Sequence, residues 1–152
     1  MGGFSTTLHL VSDGHGVPLN AMITPGQTHE STQLEAVVGP IAIARRHTGR
    51  VRRRPRRLAG DRGYHAQRIR HWLRARGIQP VIPPRRTQTK HPKRGRPITY
   101  NRTWYRGRNV IERCVGWLKE WRSVATRFDK LAVNYLQTVK LAMLMRYLRL
   151  LT

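Results

Sequence analysis

Tyr105, Arg108, Glu112 and Lys119 stand at offsets of 0, 3, 7 and 14 residues. On a helix advancing about 100° per residue these become about 0°, 300°, 340° and 320°. A helix over residues 108 to 121 would therefore gather a carboxylate, two cations and a phenol on one narrow face. Such a set suits a metal ion held among phosphate oxygens, with the carboxylate as ligand and the cations on the phosphates. The competing reading is a solvated helix face, because Arg and Lys pair readily with Glu at helical spacing.

Asp61 favours the chemical reading. Residues 58 to 64, Leu-Ala-Gly-Asp-Arg-Gly-Tyr, read as a short apolar strand ending in an acid, then a glycine turn before a helix. A carboxylate at a strand end can converge with a helix-borne acid on one metal.

These residues carry a family resemblance. Tyr105-x2-Arg108-x3-Glu112-x6-Lys119 resembles the signature around the last acid of the DDE transposases of bacterial insertion sequences, and Asp61-Arg62-Gly63-Tyr64 resembles their second acid. Supporting matches lie at residues 2 to 7, 24 to 31 and 127 to 132, so the likeness runs from Gly2 to about Leu150. Thr7 and Glu30 depart from it, since relatives often have a basic residue and Asp there. In the family the first catalytic Asp precedes the Gly-Gly segment, which here is Gly2-Gly3. The resemblance thus implies the C-terminal part of a transposase that lacks its first acid, as when two reading frames encode one enzyme.

What the resemblance implies about function follows. Asp61 and Glu112 would be catalytic acids and ligands of Mg²⁺, with Mn²⁺ as a substitute. Arg62, Tyr105, Arg108 and Lys119 would hold DNA. The complete protein would cut and join strands of double-stranded DNA at transposon ends and targets, in the bacterial cytoplasm at the nucleoid. It would act as a homo-oligomer or with an upstream transposase polypeptide, and the chain alone is expected to be inactive. The alternative is a non-catalytic basic DNA-binding remnant that regulates transposition. A ribosomal-type structural protein would explain the charge but not the ordered spacing of acid, Arg and Lys.

Composition points to nucleic acid independently of that likeness. Thirty Lys and Arg against seven Asp and Glu give a net charge of +23 over 152 residues, a self-repulsion that polyanions relieve. Residues 1 to 44 contain no Lys or Arg and three acids, whereas residues 45 to 152 hold all thirty basic residues and four acids, a net of +26. Twenty-five of the thirty are Arg, whose planar fork suits bidentate phosphate contact. The densest stretch runs from Arg45 to Arg57 and reads as a loop, with Arg52, Arg53 and Arg54 as a DNA backbone clamp.

Other chemistries find little support. The seven histidines fall into no paired ligand spacing with one another or with Cys114. Cys114 lies on the opposite side of the Glu112 helix, where a buried apolar role is expected, and a lone cysteine fits a reducing compartment. The apolar run 141 to 151 is broken by Arg146 and Arg149 and spans no membrane.

The elements that must position these residues follow from the pattern. Residues 4 to 12 and 17 to 24 form a hairpin around Asp13-Gly14-His15-Gly16, with Asp13 a turn residue rather than a replacement acid. A helix is expected over 32 to 47, capped by Glu30 or Ser31, and another over 66 to 76 with Ile69, Trp72 and Leu73 inward and Arg68, Arg70, Arg74 and Arg76 outward. Residues 79 to 83 form a core strand, and residues 84 to 103 a flexible basic loop that orders on DNA. The last helix, 134 to 151, presents Leu136, Val139, Met143, Tyr147 and Leu150 on one face, with Leu141, Leu144, Leu148 and Leu151 widening it, a stripe that covers the core in preference to a partner chain. Pattern alone gives a mixed α/β domain over residues 1 to 152. The resemblance makes it a ribonuclease H-like catalytic core missing its first strand, with a C-terminal helical extension.

Overall fold

The computed structural model describes residues 5–44, 48–85, 100–127 and 129–150. In chain order it has β1 (Thr6–Ser12), β2 (Pro18–Pro25), α1 (Glu30–Val38), β3 (Ile43–Ala44), β4 (Val51–Arg52) and β5 (Arg57–Ala59). A 3₁₀ turn (Arg62–Tyr64) leads to α2 (Gln67–Ala75), β6 (Gln79–Val81), α3 (Arg102–Arg106), α4 (Asn109–Glu120), α5 (Arg122–Thr126) and α6 (Ala132–Arg149). The content is mixed α/β as expected. Among the described residues the strands pair in twos: β1 with β2 and β3 with β4 antiparallel, β5 with β6 parallel. No helix among them is long and apolar enough to cross a membrane. The chain divides into two compact units, Met1–His29 with Asn109–Thr152, and Glu30–Arg108.

In the first unit the hairpin forms where alternation placed it, with Leu8 opposite Ile23 and Leu10 opposite Ala21. Asp13 holds the turn: its Oδ1 accepts the backbone N–H of His15 at 2.8 Å and of Val17 at 2.9 Å. Gly16, at φ +84°, takes the left-handed position that such a turn demands. His9 is buried and shares a 2.8 Å hydrogen bond with the Thr24 hydroxyl. Ala21, Leu118, Val124, Tyr135, Val139, Ala142 and Met143 make the core, flanked by Leu8, Leu10, Ile23 and Trp117.

The long helix α6 is less embedded than its sequence suggests. Val139 and Met143 are buried and Leu136 is half-buried, but Tyr147, Leu150, Leu141, Leu144 and Leu148 are exposed. Leu151 lies outside the described residues. Within this unit the hairpin and neighbouring helices cover one face of α6, so a stripe wider than one face has nothing to bury against.

The second unit departs from expectation at α1, which ends at Val38 rather than continuing to residue 47. Gly39 and Pro40 stop it, since proline disfavours helical backbone at the residue before it. Of the basic stretch that follows, Arg45, Arg46 and His47 lie outside the described residues, and Val51–Arg52 pairs with Ile43–Ala44. Residues 86–99, most of the expected basic loop, also lie outside them. Helix α2 buries Ile69 and Leu73 completely, and Gly77 at φ +68° terminates it.

Arg70 corrects the expected outward face of α2, being 1% exposed. The helix packs against both α1 and β6, so its covered face is broader than the apolar pattern indicates. Arg70 Nη2 donates to the carbonyls of Ile82 at 2.7 Å and Pro83 at 3.3 Å. Burial, followed by the neighbouring Arg74 charge, lowers its pKa. Arg70→Ala leaves both carbonyls without that donor and opens a cavity, an expected loss of about 2–4 kcal/mol. Urea unfolding measures it, and a loss under about 0.5 kcal/mol would mean that the cost of burying the cation cancels its bonds.

Candidate active site

Asp61 owes its position to a short parallel pair. Ala59 of β5 lies opposite Val81 of β6, Gly60 N–H donates to the Val81 carbonyl at 3.4 Å, and the chain then leaves the strand at Asp61. The carboxylate caps the 3₁₀ turn, its Oδ1 accepting Gly63 N–H at 2.7 Å. A Cβ on Gly63 would lie 2.9 Å from that oxygen and 3.7 Å from Glu30 Oε2. Glu30, at the start of α1, thus brings a second carboxylate to the same turn.

Gly63→Ala drives a methyl group into the Asp61 carboxylate and should break the cap. The expected cost is about 1 kcal/mol, read as a lowered Tm; unchanged stability would show that Asp61 moves aside freely. Tyr64 reports the acids electrically, because burial, then Glu30, then Asp61 push its hydroxyl up to about 12. Its folded pKa lies above its unfolded value near 10, so its contribution to stability is complete below about pH 10 and is lost between pH 10 and about 12. Tyr64→Phe should remove the latest step of a tyrosinate absorbance titration. A titration unaltered near pH 12 would contradict that environment.

The four-residue signature does not lie on one helix. Tyr105 belongs to α3, which Asn101 caps by accepting Trp104 N–H at 2.9 Å, and the helix breaks at Gly107 and Arg108 before α4 begins. Glycine's low helix propensity permits that interruption, and Tyr105 and Glu112 therefore lie on two consecutive helices rather than one. Glu112 and Lys119 remain on one face, being seven residues apart on α4, both exposed. Each suits its end of the helix dipole, the acid in the first turn and the cation in the last. Tyr105 and Arg108 stay together by a different route, the guanidinium lying 5.7 Å from the phenol ring. Beside them, Arg57 lies 4.0 Å over Trp104, and Tyr100 meets Tyr105 edge to face at 5.6 Å.

The remaining expectations divide. Arg62 is exposed, and its carbonyl accepts the His65 Nδ1 hydrogen bond at 2.8 Å, which turns that ring toward the backbone. Cys114 is buried, as expected from its side of α4, and burial raises its pKa. Arg52, Arg53 and Arg54 line a cavity of about 600 Å³ together with Arg56 and Arg76. The sequence marks Glu30 only as a departure from relatives. It offers no sign that Arg76, the residue that follows α2, joins the basic stretch through Arg54, 22 residues earlier.

Residues 3–146 match the family described as the transposase DDE domain. The chain belongs to that family. It is 37% identical over 124 residues to a Burkholderia cepacia protein assigned as the transposase of insertion sequence element IS402, an alignment that covers 82% of this chain and 54% of that relative. The chain therefore spans about half the length of the curated relative it matches. No solved structure matches it.

DDE transposases act on DNA with a divalent metal. Among the described residues no group of three or more His, Cys, Asp or Glu side chains gathers as a metal site. Asp61 belongs to the second unit and Glu112 to the first. Their chemistry fits a hard cation, since both offer carboxylate oxygens and the Gly63 bond engages Oδ1 of Asp61 only.

Proposed function

We propose that this chain supplies two of the metal-binding acids and much of the DNA-holding surface of an insertion-sequence transposase. Its units belong to one ribonuclease H-like catalytic core over residues 1 to 152. The observation that carries the reading is the family match over residues 3–146, which spans both Asp61 and Glu112. The capped strand-end position of Asp61 and the exposed, first-turn position of Glu112 support it.

Asp61 and Glu112 would hold Mg²⁺, or Mn²⁺ in its place. When bound, the metal acidifies an attacking water or 3′-hydroxyl and stabilises the leaving oxygen. Asp61 is pre-oriented by its bond to Gly63 N–H, so it need not be ordered when the ion arrives. Arg108 and Lys119 hold phosphates beside the acids, Arg62 extends that contact, and Tyr105 positions the backbone or stacks on a base. Protein general bases are not required. The partners are transposon ends and target DNA, together with a second copy or an upstream transposase polypeptide. The setting is the bacterial nucleoid.

Two carboxylates neutralise and fix a divalent ion less well than three, and members of one catalytic unit act far from additively. The purified chain should therefore be inert with Mg²⁺ or Mn²⁺ on duplexes carrying cognate ends. It should nick them once a polypeptide bearing the third acid is added. Binding without nicking in both cases would favour a regulatory DNA-binding remnant, and efficient nicking by the chain alone would show that another acid completes the site.

A further inference from the structure

We propose that the arginine-lined cavity at the start of β5 is a separate phosphate cradle for the DNA backbone, distant from Asp61 and independent of divalent metal. The proposal rests on DNA being the partner. It adds a binding site that the acids do not explain.

The cavity, about 600 Å³, is lined by Arg52, Arg53, Arg54, Arg56, Arg76 and Gly77 among its residues. None of its lining residues is acidic. The unit's three acids are engaged elsewhere: Glu35 pairs with Arg68 at 2.8 Å, while Glu30 and Asp61 gather at the Gly63 turn. Five arginines line one concavity with no acid among them, and a polyanion is the ligand that relieves such a concentration of positive charge. The walls are also pre-set. Arg52 Nε donates to the Arg54 carbonyl at 3.2 Å, Arg54 Nη1 donates to the Arg76 carbonyl at 3.4 Å, and the Arg76 guanidinium lies 4.1 Å over the Trp72 ring. These contacts hold three of the five forks, those of Arg52, Arg54 and Arg76, while leaving most of their N–H donors for phosphate oxygens. At Gly77 a Cβ would meet nothing within 4 Å, so the space beside it is open.

Position separates this cradle from the catalytic acid. Arg56 precedes β5 and Asp61 follows it. The ladder bonds from Gln79 N–H to the Arg56 carbonyl and from Gly60 N–H to the Val81 carbonyl keep this segment extended, so at about 3.3 Å per residue the two are about 16 Å apart along the chain. That span is roughly five base pairs at 3.4 Å each. Backbone held here is thus held away from the phosphate that reacts, and the grip carries no base information.

The test is fluorescence anisotropy of a labelled duplex in EDTA across 50 to 200 mM salt. It compares wild type with the Arg53→Ala, Arg56→Ala double variant and with a charge-matched double variant, Arg74→Ala with Arg106→Ala, outside the cavity. Each lost contact lowers the salt slope by about 0.9, so the cradle variant should lose roughly 1.8 and the matched variant less than half of that. Equal losses in the two variants, or no loss in the cradle variant, overturn the proposal. Tripolyphosphate that displaces the duplex at far lower phosphate concentration than unlabelled DNA identifies a free polyphosphate as occupant and also overturns it. Because EDTA removes metal chemistry, failure here leaves the transposase reading standing, and failure of cleavage assays leaves this result intact.

Discussion

Glu112→Gln should lower Mg²⁺-dependent strand cleavage by at least about a thousandfold in the reconstituted transposase, and Asp61→Asn should do the same. Each substitution keeps shape and removes one negative ligand from an ion that dehydrates reluctantly and is held by few charged groups. Combined, they should cost little more than either alone, because residues acting as a unit lose their function together. Glu112 is exposed on the first turn of α4, so Gln is not expected to unfold the helix. A measured loss below about tenfold for either residue would remove it from the metal site.

DNA affinity should fall by about 10³–10⁵ between 50 and 200 mM salt, as expected for 6–10 phosphate contacts. The charge distribution motivates this, since residues 45 to 152 carry all thirty basic residues. Phosphate contacts release counterions and read no sequence, so unrelated duplexes of equal length should compete almost equally. Filter-binding titrations at four salt concentrations measure the slope. A salt-insensitive affinity, or strong preference for one sequence in the absence of other polypeptides, would contradict it.

The parts of the fold legible in the sequence are those where local chemistry decides. Asp13-Gly14-His15-Gly16 closes the hairpin because Asp13 bonds the turn's own N–H groups and Gly16 adopts positive φ. Gly77 ends α2 for a similar local reason. Helix α1 ends at Val38, short of the extent its sequence suggests, because Gly39 and Pro40 outweigh the pattern beyond them. The helical pattern turns Arg70 outward, yet two flanking elements and two carbonyls of the chain after β6 bury it. No pattern within α2 contains those partners. The expected single signature helix is divided by a turn at Gly107 and Arg108, whereas the acids keep the strand-end and helix positions expected of them. Glu30 beside Asp61, and Arg76 beside Arg54, are contacts across sequence distance that spacing does not encode.

Whether Asp61 and Glu112 share one ion is the centre of this account. Affinity cleavage addresses it directly: Fe²⁺ replaces Mg²⁺ in the DNA-bound transposase, ascorbate and peroxide generate hydroxyl radicals at the ion, and the cut sites in this chain are mapped. One shared ion predicts two clusters of cuts, near residues 61 and 112, both lost in Asp61→Asn and both lost in Glu112→Gln. Cuts at one position only, or clusters that survive independently in the opposite variant, would contradict a common metal and with it the catalytic assignment.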